Sequence, residues 1–151
     1  MTELVRYEAA RKALAEAHRV DEVKGIRDKA EAMRMYGKQA NDTELVNWAA
    51  EIKIRAERKC GELLGDMAQR GERMTQGGDR AKSHAATLPD IGLSNSQSSR
   101  YQQIAAVPEA DFEQHIAEVK DKGGELTSAG RAQMRGVAGG YGTARGASAL
   151  V

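Results

Sequence analysis

The residues whose types and spacing could do chemistry lie between Ser94 and Gln103. Ser94, Asn95, Ser96, Ser99, Arg100 and Gln103 carry small or hydrogen-bonding side chains. At helical spacing they fall on one side, and Tyr101, Ile104 and Ala105 fall on the other. Asn and Gln can hold adenine, and Arg can hold guanine, each through two hydrogen bonds. Ser and Asn near a helix start can also bond phosphate oxygens. This is the chemistry of recognition, not of bond making. The groups that bond making needs do not assemble. His18, His84 and His115 stand far apart with no Cys or His at ligand spacing, so no zinc site is expected. The serines lack a nucleophile-elbow context. Gly77-Gly78 lacks the Gly-Lys-Ser/Thr ending of a phosphate loop. The expectation is a protein that is not an enzyme and uses no cofactor.

Two short helices must position those residues. The first runs from Leu88 to Ile91. Gly92 supplies a tight, left-handed turn, and Leu93 packs inward after it. Ser94 caps the next helix, and Gln97 completes a capping box. That helix runs from Asn95 to about Ala106. The same pattern would serve a helical hairpin used only for packing.

The turn Ile91-Gly92-Leu93-Ser94 followed by Ser99-Arg100-Tyr101 resembles the helix-turn-helix of DNA-binding regulators. Where those regulators bury a Val or Ile, this chain has Ser98, which implies a changed helix angle or a smaller contact. A longer stretch, about Leu4 to Gln133, resembles a group of phage and prophage proteins. The similar segments are Ala56-Glu57-Arg58-Lys59-Cys60-Gly61-Glu62-Leu63-Leu64, then the run from Leu88 to Tyr101, then Val107-Pro108-Glu109. Segments of this kind also accompany phage adenine methyltransferases. The catalytic Asp-Pro-Pro-Trp/Tyr motif of those enzymes is absent, since the prolines are Pro89 and Pro108. The resemblance implies a DNA-associated regulatory or accessory role without methylation.

Three helices open the chain. Thr2 can cap the first, whose apolar face is Leu4, Tyr7, Ala10, Leu14 and Ala17. Asp21 can cap the second, with a seam of Val23, Ile26, Ala30, Met33 and Ala40. Asn41 with Glu44 can open the third as a capping box. Its stripe is Leu45, Trp48, Ile52, Ala56, Cys60, Leu63 and Met67, and Gly71 stops it. Glu51–Arg55 and Asp66–Arg70 are expected outside, as pairs one turn apart. Gly61 and Gly65 read as a close-packing spacing or as incidental. A helix this long, about 43 Å at 1.5 Å per residue, needs an antiparallel bundle, a coiled-coil dimer, or both. Leu45, Trp48, Ile52, Ala56, Leu63 and Met67 are therefore the expected dimer or partner interface.

The expected organisation is all-α. A bundle or coiled coil spans residues 1–70, a flexible Gly-rich linker 71–83, a helix-turn-helix module 84–136, and a disordered tail 137–151. Within the second module, Pro108 opens a helix with an apolar face of Phe112, Ile116 and Val119. Its other face, Glu109, Asp111, Glu113 and Glu118, is acidic and would turn away from a duplex. Thr127 or Ser128 could cap a last helix through Arg135.

Only six aromatic residues are present, so the core must be built from Ala, Leu, Ile, Val and Met. Net charge is +1, so any basic face is local. One cysteine excludes an internal disulfide. With neither a signal peptide nor an apolar run long enough to span a bilayer, a cytoplasmic protein without membrane contact is expected. Two functional readings result. One is a dimeric binder of double-stranded DNA. The other is an adaptor, or an inhibitor of a host protein, that uses the third helix as its contact surface.

Overall fold

A computed structural model describes residues 3–71 and 88–127. Among them there are six helices and no strand: α1 (Glu3–Glu16), α2 (Val20–Gln39), α3 (Thr43–Gln69), α4 (Leu88–Ile91), α5 (Asn95–Ala105) and α6 (Glu109–Asp121). None is long and apolar enough to cross a membrane. The expected linker beyond Gly71, the Ser128–Arg135 helix, the tail and the Thr2 cap lie outside the described residues.

Helix α3 is the axis. Its Ile52, Ala56, Cys60 and Leu64 meet Leu14 and Ala17 at the end of α1, Val20, Val23 and Ala30 of α2, and Leu93 and Tyr101 at α5. Its Ala50 and Ile54, on another side, meet Ile104, Val107, Phe112, Ile116 and Leu126. The two expected modules therefore share one core, and α5 and α6 are built onto the N-terminal helices. The Leu45–Met67 seam is covered by the chain itself. Leu45, Ile52 and Ala56 are buried, and Trp48, Leu63 and Met67 pack half-buried against the same core. A coiled coil through that stripe would have to displace the chain's own helices.

Helix ends differ from the sequence reading by a residue or two. Helix α2 begins at Val20, with Arg19 as the capping position and no side-chain cap; Asp21 lies in the first turn and pairs with Arg19 at 3.1 Å. Asn41 ends α2 instead of starting α3. It adopts φ 54°, and its N–H donates to the Lys38 carbonyl while that of Asp42 reaches Gly37. This is the left-handed ending that Gly and Asn favour. Asp42 then caps α3, its Oδ1 accepting from Leu45 N at 3.1 Å. Ala40 consequently lies exposed beyond α2.

Glu51, expected outside, is 2% exposed. Helix α6 covers that side of α3, which turns one stripe into two. The carboxylate is held by Arg55 at 3.1 Å and Lys120 at 2.9 Å. Burial works to raise this carboxyl, but Lys120, the Tyr7 hydroxyl and Arg55 outweigh it and hold it below the usual carboxylate range.

Close approach fixes where α5 sits. A Cβ on Gly61 would lie 2.0 Å from the Tyr101 carbonyl oxygen and 2.4 Å from its carbon. Backbone touches backbone there, and no side chain could yield. A Cβ on Gly65, one turn on, would meet nothing within 4 Å. Gly61→Ala should therefore destabilise the protein by about 1–3 kcal/mol, the usual cost of overpacking. Gly65→Ala should stabilise it by about 0.5–1 kcal/mol, because helix interiors disfavour glycine. Urea denaturation of the two variants checks this; equal effects would contradict the contact.

Candidate functional site

The N-terminus of α5 forms as its residues dictate. Ser94 has extended backbone, and its Oγ accepts from Gln97 N at 3.1 Å. The Gln97 side chain accepts in return from Ser94 N at 3.0 Å. Gly92 makes the turn with φ 86°, and Leu93 N closes it onto the Leu88 carbonyl at 3.0 Å. The two faces of α5 separate cleanly. Tyr101 and Ile104 are buried against α3, and Ala105 is half-buried.

The opposite face is polar and open. Asn95, Ser96, Ser99, Arg100 and Gln103 line one shallow depression of about 540 Å³. Ser94, Asn95, Ser96 and Ser99 are exposed; Arg100 and Gln103 are half-buried. Gln103 Nε2 donates to Ser99 Oγ at 3.3 Å, which ties two members of the face together. Arg100 makes no hydrogen bond or ion pair with any described residue, although its charge reaches Glu57. Among the described residues no carboxylate lines the depression. Five of the six residues grouped from the sequence line this depression; Ser94 is not among them, and its hydroxyl is engaged in the cap of α5.

Ser98 is 3% exposed, and its Oγ accepts from Gln102 Nε2 at 2.9 Å. A hydroxyl fits where a branched apolar group would be expected, because its own helix satisfies it.

Residues the sequence reading passed over hold the helix from beneath. Arg58 Nη1 donates to the carbonyls of Ile104 at 2.7 Å and Val107 at 2.8 Å. It thereby closes the negative end of α5. Its guanidinium also lies 4.7 Å from the Phe112 ring centroid, which ties α6 into the same joint. Glu57, one turn before Gly61, is 2% exposed. Its Oε1 accepts from Arg27 Nε at 3.4 Å, and its Oε2 has no hydrogen-bond partner. Burial pushes this carboxyl above its usual 4.5, against the opposing fields of Lys53, Arg27 and Arg100. The only hint in the sequence was charge, Glu57 and Arg58, set between the apolar positions Ala56 and Cys60.

Burial also pushes the Cys60 thiol up to about 12, which keeps it protonated and inert. No group of three His, Cys, Asp or Glu suited to a metal occurs among the described residues. The acidic side of α6 is partly spent inside the protein, since Glu113 pairs with Arg55 at 2.6 Å. Glu109 and Glu118 stay exposed.

Comparison with protein-family models, with curated proteins and with solved structures yields no match to this chain.

Glu57 sets a pH dependence with a definite sign. A carboxyl whose folded value is raised contributes most stability below its unfolded value, and that contribution is lost as pH rises through the folded value. Glu57→Gln should therefore gain stability relative to wild type between the ordinary carboxylate range and neutrality. Paired urea melts across that window measure the difference. A constant difference would show that Glu57 ionises no less readily in the folded chain.

Proposed function

We propose that this protein binds double-stranded DNA sequence-specifically, with α4, the Gly92 turn and α5 acting as a helix-turn-helix whose second helix enters the major groove. The observation that carries this reading is the face of α5. Hydrogen-bonding side chains of groove-reading type stand outward together, with no carboxylate among the described residues that line the face, and Arg100 has no hydrogen bond or ion pair within the described protein. A half-buried cation that makes no ion pair with a described residue, and feels Glu57 only at longer range, is available to a base edge or a phosphate. The roles follow from the residue types. Arg100 and Gln103 read bases, while Ser94, Asn95, Ser96 and Ser99 position the helix on the backbone and near the first bases.

A regulatory or accessory role of phage or mobile-element type rests on the resemblance of the 56–64 and 88–101 segments. A dimer on two half-sites stays within this proposal, but its contact has to lie away from the Leu45–Met67 stripe, which the chain covers itself. For an adaptor reading of α3, the half-buried Trp48, Leu63 and Met67 are what that stripe still offers a partner.

Arg100→Ala should weaken sequence-specific binding by about 1–3 kcal/mol and leave the chain folded, with only a small change in melting temperature from the lost field on Glu57. Selection of bound sequences from a random duplex pool, followed by anisotropy titration of the winner, provides the test. Equal affinity of variant and wild type would remove Arg100 from the site. Failure to enrich any sequence would overturn the reading.

A further inference from the structure

We infer that the DNA interface continues from α5 onto α2, where Lys24 meets a backbone phosphate that displaces its partner Asp28; this rests on the reading of α5 as a DNA-binding helix. The Gly92 turn lies directly on Lys24. A Cβ on Gly92 would stand 3.5 Å from Lys24 Cε and 4.0 Å from Cδ. The lysine stem therefore runs beneath the turn that opens α5, and its ammonium emerges beside the turn.

Around that ammonium the charges are uneven. Lys24 Nζ pairs with Asp28 at 2.9 Å, with the two side chains 32% and 47% exposed. Arg27, a neighbour on α2, contacts the same Asp28 at 3.1 Å and the buried Glu57 at 3.4 Å. Arg27 also acts electrostatically on Tyr101, and Glu57 feels Arg100, so this edge of α2 borders the helix that carries the polar face. Lys24 and Arg27 thus share Asp28, and Lys53, Arg27 and Arg100 act on the buried Glu57.

Arg27 is committed inward to Glu57. Lys24 is committed only to an exposed carboxylate, and such a pair contributes little and is readily exchanged. A phosphate offers the ammonium an equivalent anion together with the release of counterions. Lysine suits the task, since it acts as a point charge without the geometry that reading a base requires. Asp28 would act as a brake, holding Lys24 when no duplex is present. Contacts of this kind add affinity on every sequence alike and carry no base information.

The experiment uses the full chain and a fluorescent duplex of mixed sequence, titrated by anisotropy at several salt concentrations. Lys24→Ala should weaken binding several-fold on every duplex and reduce the slope of log affinity against log salt by about 0.9, the share of one phosphate. Asp28→Asn should tighten binding. Unchanged thermal melts establish that both variants fold. If Lys24→Ala binds as wild type does while Arg100→Ala is weakened, α2 lies outside the interface and the reading of α5 survives. If the wild-type chain does not bind duplex DNA at all, both fail together.

Discussion

A backbone-to-backbone contact governs this molecule. Helix α5 rests on α3 where Gly61 faces the peptide of Tyr101, at a separation that no side chain could share. Because the contact is between main chains, it fixes both the height and the rotation of α5. The buried set, Tyr101 and Ile104, follows from it. So does the outward set, since a helix pinned on one face has its opposite face determined. The polar surface is a consequence of how the helix is seated.

Polar groups complete the seat, and they differ in how well they are satisfied. Arg58 is fully used, with two carbonyls, an aromatic face and Glu62 at 3.5 Å. Glu51 is similarly well supplied, by Arg55, Lys120 and Tyr7. Glu57 is not, since one of its oxygens is buried without a partner. An under-satisfied buried carboxylate is costly, and here the cost falls directly beneath the proposed reading helix. Arg27 and Arg100 flank it from α2 and α5. The joint therefore combines rigid van der Waals contact with an electrostatic element that is less than fully compensated.

Local chemistry was legible from the residues alone. The Ser94–Gln97 capping box, the Gly92 turn and the split of α5 into two faces depend on neighbours a few positions apart, and sequence spacing reports those. Long-range coverage was not legible. Nothing near Glu51 announces that α6 will lie over it, so an exposed pair one turn apart was the natural reading. The same blindness left open whether the chain's own helices, a second copy or a partner covers the Leu45–Met67 stripe, because a long amphipathic helix shows only that it needs cover, not which chain supplies it. Asn41 and Asp42 show a third limit. Both residue types can cap a helix start, and only the left-handed backbone at Asn41 decides that it ends α2. Gly61 and Gly65 read identically in sequence, yet one is at a backbone contact and the other faces open space.

The most direct measurement is amide chemical-shift mapping of the isotope-labelled full chain during titration with a duplex selected by the protein. The largest changes should cluster on Ser94 to Gln103 and the adjoining Gly92 turn, while the exposed amides of α6 remain still. Changes centred on α6 or on the outer side of α1, with the α5 face silent, would contradict a DNA interface on α5.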